Sequence, residues 1–160
     1  MATIKNLASA RSSIWRLIKF RLRSEKEIRD RLTFKGYESQ IVEQAISYFK
    51  ELGFINDKEF SRSWMESRLN KPLGLMAIRG ELAKKGVAQE IIEELFSQKS
   101  KELDERFIVQ SLALKHLNQL KENNAPPEKI KPRLYAYLIR RGFSSEVVSE
   151  ILLQIMSNTV

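Results

Sequence analysis

The chain has 160 residues, of which 42% are hydrophobic and 30% charged, and its formal net charge is +8. Such proportions suit a globular protein with an ordinary core and exclude a disordered tail. No apolar run approaches the roughly 18 residues that a bilayer span needs, and with no cysteine there are no disulfides and no thiolate metal sites.

In chain order, the N-terminal basic residues lack an apolar signal core, because Arg16 and Lys19 interrupt Ile14, Trp15, Leu17 and Ile18. The expected compartment is therefore the cytoplasm, without membrane association. A first helix is expected over roughly Ile14 to Leu22. Ser24 with Glu27 then reads as a capping box that opens a helix carrying Ile28 and Leu32. Gly36 stops it, Tyr37 packs back, and Glu38-Ser39 leads into a helix with Ile41, Val42 and Ile46. After Gly53, Asn56 or Asp57 can cap a further helix bearing Phe60 and Trp64.

A break over Asn70 to Gly74 precedes a return of the same frame: Ile78, Leu82, Gly86, Val87, Ile91, Ile92 and Phe96. Asp104 to Phe107 then repeats the Asp-x-x-Phe opening and runs into Ile108, Leu112, Leu114 and Leu117. A second break over Asn123 to Pro127 leads to the third occurrence, in Leu134, Leu138, Gly142, Phe143, Val147, Val148 and Leu152. The frame glycines are 50 and 56 residues apart. Apolar residues at i and i+4 share one helical face, and a glycine just beyond them can take the left-handed conformation that ends a helix. No period-two run marks a strand.

The expected fold is all-α: three tandem three-helix, helix-turn-helix-like repeats in an elongated curved array, with the third repeat truncated. The boundaries read as 1–22 for the N-terminal helix and tail, then 23–70, 71–122 and 123–160 for the repeats.

Catalytic chemistry has little to stand on. The single histidine, His116, lies in a leucine-rich helix without a metal-ligand pair, and no phosphate-binding glycine loop occurs. No enzymatic activity, cofactor or metal is expected. Phe60, Trp64, Phe107 and Tyr48/Phe49 read as core, whereas Tyr135 and Tyr137 cannot both face inward.

The candidate binding residues are the cations that recur around each helix stop: Arg29, Arg31 and Lys35; Arg79, Lys84 and Lys85; Arg133, Arg140 and Arg141. Singly, each reads as a solvated residue near the carbonyl end of a helix. As a set, a basic ladder suits the phosphates of a strand or acidic patches on a repetitive protein. An independent DNA-binding protein and a bare helical scaffold remain alternatives.

Several segments resemble the RecX family. They are Arg23 to Leu32 with Lys35-Gly36-Tyr37, Tyr48 to Asp57 with Phe60, Gly74 to Leu82 with Lys84-Lys85-Gly86-Val87, and Arg140-Arg141-Gly142-Phe143. The resemblance spans roughly Arg23 to Met156. It implies an arc of three three-helix repeats lying in the groove of the RecA–DNA filament. There it would restrain filament growth, strand exchange, ATP hydrolysis and co-protease activity as a monomer, with weaker contacts to single- or double-stranded DNA. The sequence departs from the family pattern in two places: Leu75 stands where the family has proline, and Gly80 falls inside a helix.

Overall fold

The structure, a computed structural model, describes residues 5–99 and 104–157. Among these there are nine helices and no strand. They are α1 (Leu7–Ile18), α2 (Glu25–Phe34), α3 (Ser39–Glu51), α4 (Asp57–Leu69), α5 (Leu75–Lys84), α6 (Gln89–Lys99), α7 (Glu105–Glu122), α8 (Pro127–Arg140) and α9 (Ser145–Ser157). The chain divides into two compact units, one of Met1–Glu66 with Leu82–Leu95 and the other of Ser67–Glu81 with Phe96–Val160.

In the first unit, α1, α2 and α3 pack on one another. Their core includes Ala10, Ile14, Ile28, Leu32, Val42, Ile46 and Phe49. Helix α1 begins earlier and ends sooner than the expected span of Ile14 to Leu22. Asn6 and Ser9 form a reciprocal capping box at its start, and the face it buries is made of Ala10, Ser13 and Ile14. Two of those three are small residues, which leave no apolar stripe to read. The expected capping box of α2 is present, with Ser24 accepting from the Glu27 N–H and Glu27 accepting from the Ser24 N–H. Asn56 caps α4 by accepting from the N–H groups of Lys58 and Glu59. Asp57 turns its carboxylate elsewhere and accepts from the Glu25 N–H at 2.8 Å.

In the second unit, α7, α8 and α9 pack on one another. Their core includes Val109, Ala113, Leu117, Leu134, Leu138, Phe143, Val148 and Leu152. The buried stripe of α7 runs through Val109, Ala113, Leu117 and Leu120. This places Phe107 on the opposite side, 76% exposed rather than in the core. Tyr48 is likewise partly exposed, while Phe49 and Phe60 are buried.

The three frame glycines share one conformation, with φ of +79° at Gly36, +76° at Gly86 and +82° at Gly142. At each, the N–H of the following apolar residue reaches back five positions to a core leucine carbonyl: Tyr37 to Leu32, Val87 to Leu82 and Phe143 to Leu138. This is the hydrogen-bond pattern of a Schellman stop, and the apolar residue after the glycine closes it by packing on the helix just ended.

Two of these stops also seat against the start of an earlier helix. In the first unit, the Ser24 hydroxyl donates to the Lys85 carbonyl at 2.7 Å, and a Cβ on Gly86 would overlap the Lys26 side chain. In the second, the Gly74 N–H donates to the Arg141 carbonyl at 2.8 Å and the Met76 N–H to the Gly142 carbonyl at 3.1 Å. There, a Cβ on Gly142 would overlap the backbone and Cβ of Ala77. Repeated sequence thus builds a repeated joint.

Both departures from the family pattern have a local physical account. The Leu75 N–H donates to the Glu105 carboxylate at 2.9 Å, a bond that proline could not make. Gly80 lies inside α5, and a Cβ there would meet nothing within 4 Å. Gly80→Ala is therefore expected to stabilise the protein by about 0.5–1 kcal/mol, read as a rise in urea midpoint. An unchanged or lower midpoint would show that glycine is needed at this position.

Candidate partner-binding surface

The nine candidate cations divide according to what holds them. Arg29 is committed internally: its Nε lies 2.8 Å from Glu43 and one Nη 2.7 Å from Glu25. The hydrogen bonds it donates to Glu43 and then Glu25 hold its guanidinium charged even more firmly than usual. Lys85 is also committed, with Nζ 2.7 Å from Glu27 and 4.5 Å from the centre of the Trp64 ring. Burial alone would push the Glu27 carboxyl up, but hydrogen bonds from Arg21, Lys85 and the Ser24 N–H bring it down to about 2.

Arg79 is half-buried with its guanidinium over the Phe96 ring. Lys35 and Arg141 are the C-cap residues of α2 and α8. The Lys35 ammonium approaches the Ser13 hydroxyl at 3.5 Å. Arg141 donates to the Pro72 carbonyl at 3.2 Å and covers Tyr137, which also stacks on His116 with ring centres 4.0 Å apart. Of the two tyrosines that could not both face inward, Tyr135 is the more exposed.

The remaining four are open to solvent. Arg31 is exposed, with the Phe34 ring 5.8 Å from its guanidinium carbon. Lys84, Arg133 and Arg140 are exposed and have no ion-pair partner among the described residues. Arg133 and Arg140 line one groove with Lys129, over a floor of Pro132, Ala136 and Leu120 and beside His116. On a helix turning about 100° per residue, positions 4 and 11 apart fall within roughly 40° of one another. Lys129, Arg133 and Arg140 therefore form one cationic edge of α8, and no carboxylate lines the groove. Lys129 sits at the start of α8, far from the glycine stop around which the other candidate cations recur, so a pattern centred on the stops does not reach it. Its spacing to Arg133 and Arg140 was the available signal.

A column of cations held by helix backbones needs no reorganisation to meet anionic groups, and it gives salt-dependent attraction without a preference for base sequence. Among the described residues no cluster of three or more His, Asp or Glu side chains could hold a metal ion. No described helix is long and apolar enough to cross a membrane.

The same glycine stop between α2 and α3, α5 and α6, and α8 and α9 defines a helical-repeat protein, and its relatives say which kind. Models of the first, second and third three-helix domains of RecX match residues 10–49, 56–95 and 108–152 respectively. The Regulatory protein RecX of Clostridium beijerinckii is 31% identical over 98% of this chain and 73% of its own length. That of Clostridium acetobutylicum is 32% identical over 95% of this chain and 71% of its own length. The crystal structure of RecX from Lactobacillus salivarius superposes with a TM-score of 0.78 at 21% identity, covering 92% of this chain and 95% of that one. The chain belongs to the RecX family. The family's domains group the helices as α1–α3, α4–α6 and α7–α9, one helix earlier than the frame read from the glycines.

Proposed function

We propose that this protein is a non-enzymatic, cytoplasmic regulator that binds the RecA–DNA filament as a monomer and inhibits its recombinase, ATPase and co-protease activities. It would thereby act in homologous recombination, DNA repair and the SOS response. Membership of a family whose relatives are called regulatory proteins supports this reading. The observation that carries the binding mode is the α8 edge of Lys129, Arg133 and Arg140, three cations with no carboxylate in their groove. Lys84 and Arg31 extend the same chemistry elsewhere, whereas Arg29 and Lys85 serve the fold through Glu43 and Glu27. Direct contacts to DNA phosphates are the weaker part of the interaction.

The test is single-stranded-DNA-dependent ATP hydrolysis by the cognate RecA. Wild-type protein should slow it in a saturable manner. Arg133→Glu with Arg140→Glu should raise the concentration needed by at least about tenfold, because each reversal replaces an attraction by a repulsion. Reversing Arg29 should instead lower stability. Full inhibition by the double variant at wild-type concentrations would remove the α8 edge from the account.

A further inference from the structure

The face where α1 meets α3 carries chemistry that the cationic groove of α8 does not use. Trp15, Tyr48, Leu52 and Phe54 are all partly exposed there. They line one groove, and Arg11 and Arg16 stand on its α1 side. Contiguous exposed apolar groups with a polar rim mark interaction sites.

The packing of the rings selects the occupant. Trp15 stacks on Phe49 at 6.4 Å and meets Phe54 edge-on at 5.4 Å. The Arg11 guanidinium lies 3.8 Å from the centre of the Tyr48 ring. A nucleobase needs a free ring face to stack on, and one face of Trp15 is taken by Phe49 and one face of Tyr48 by Arg11. Leu52 and the crossed Trp15 and Phe54 rings give an uneven apolar lining that suits a side-chain knob. The rim adds a charge requirement. Arg11 keeps a buried Nε with no hydrogen-bond partner, and the Arg16 Nε donates to the Ser12 carbonyl at 3.2 Å. Neither has a carboxylate partner among the described residues. Arginine beside an apolar pocket is the common anchor for a carboxylate-bearing partner.

We infer that the α1–α3 groove docks an acidic amphipathic helix of a partner protein. Apolar anchors at helical spacing enter between Trp15, Leu52 and Phe54, and flanking carboxylates meet Arg11 and Arg16. This inference is independent of the proposal for the α8 edge.

The probes are labelled helical peptides with Leu, Phe or Met at i, i+3, i+4 and i+7 and Glu on the flanking positions. They are titrated against the full chain in a Trp64→Phe background, so that Trp15 is the only emitting tryptophan. At least one peptide should bind saturably below about 100 µM and shift Trp15 emission. Arg16→Glu and, separately, Leu52→Glu should each weaken it by at least about tenfold with helicity unchanged. Peptides with Lys in place of Glu should not bind. The inference is overturned if no acidic peptide binds up to about 1 mM, or if neither variant alters binding. Two other outcomes also overturn it by identifying a different occupant. One is a thymidine oligonucleotide that shifts Trp15 emission where the peptides do not. The other is a dimer in sedimentation equilibrium that Leu52→Glu dissolves.

Discussion

Gly142→Ala is expected to cost about 3–5 kcal/mol. Two penalties add at this position. The left-handed φ of +82° disfavours any Cβ by about 1–2 kcal/mol. The new methyl would also overlap the backbone and Cβ of Ala77 at the start of α5. Backbone cannot swing aside as a lysine side chain can, so the hydrogen bonds of Gly74 and Met76 to the Arg141 and Gly142 carbonyls would have to stretch or break. Gly53 supplies the control: its φ is +76°, but nothing lies within 4 Å of an added Cβ. Gly53→Ala should therefore cost only the conformational part, about 1–2 kcal/mol. Urea denaturation followed by circular dichroism measures both. Equal losses at the two positions would contradict the close approach of α5 to the third glycine stop.

The second large effect concerns Glu27. Its carboxylate accepts from Arg21 at 2.9 Å, Lys85 at 2.7 Å and the Ser24 N–H at 3.2 Å, and its side chain is only 18% exposed. Glu27→Gln keeps the shape but removes the charge that both cations face, and a loss of about 2–3 kcal/mol follows. The pH dependence has a definite sign. The folded-state pKa of about 2 lies below the ordinary value of 4.5, so the unfolded chain binds the proton more readily. The stabilisation is complete above 4.5 and is lost as pH falls from there through about 2. Wild-type stability should fall across that window, and the Glu27→Gln variant should lose correspondingly less. Identical pH profiles would show that Glu27 is not the group held down by Arg21 and Lys85.

The glycine frame was legible because its physics is local. An i, i+4 apolar pair, a left-handed residue and an apolar closure all lie within a few positions, and the structure gives Gly36, Gly86 and Gly142 the same stop. What the sequence concealed depends on residues far apart. Arg29 meets Glu43, and Lys85 meets Glu27 across 58 positions, so spacing along one helix could not separate committed cations from open ones. Helix α1 was displaced because Ala10 and Ser13, two of its three buried residues, look like surface residues. Phe107 was expected inside because α7 carries apolar residues on more than one side, and only packing against α8 and α9 chooses Val109, Ala113 and Leu117. The α8 edge was half legible, since Arg133 and Arg140 recur near the stop and Lys129 does not.

The most direct test of the regulatory account is sedimentation of the purified chain with preformed cognate RecA–DNA filaments at physiological salt, beside naked single- and double-stranded DNA. The account predicts saturable co-sedimentation with the filament that is weaker on either DNA alone, and weaker again after Arg133 and Arg140 are changed to Glu. Equal sedimentation with naked DNA, or none with the filament, would contradict it.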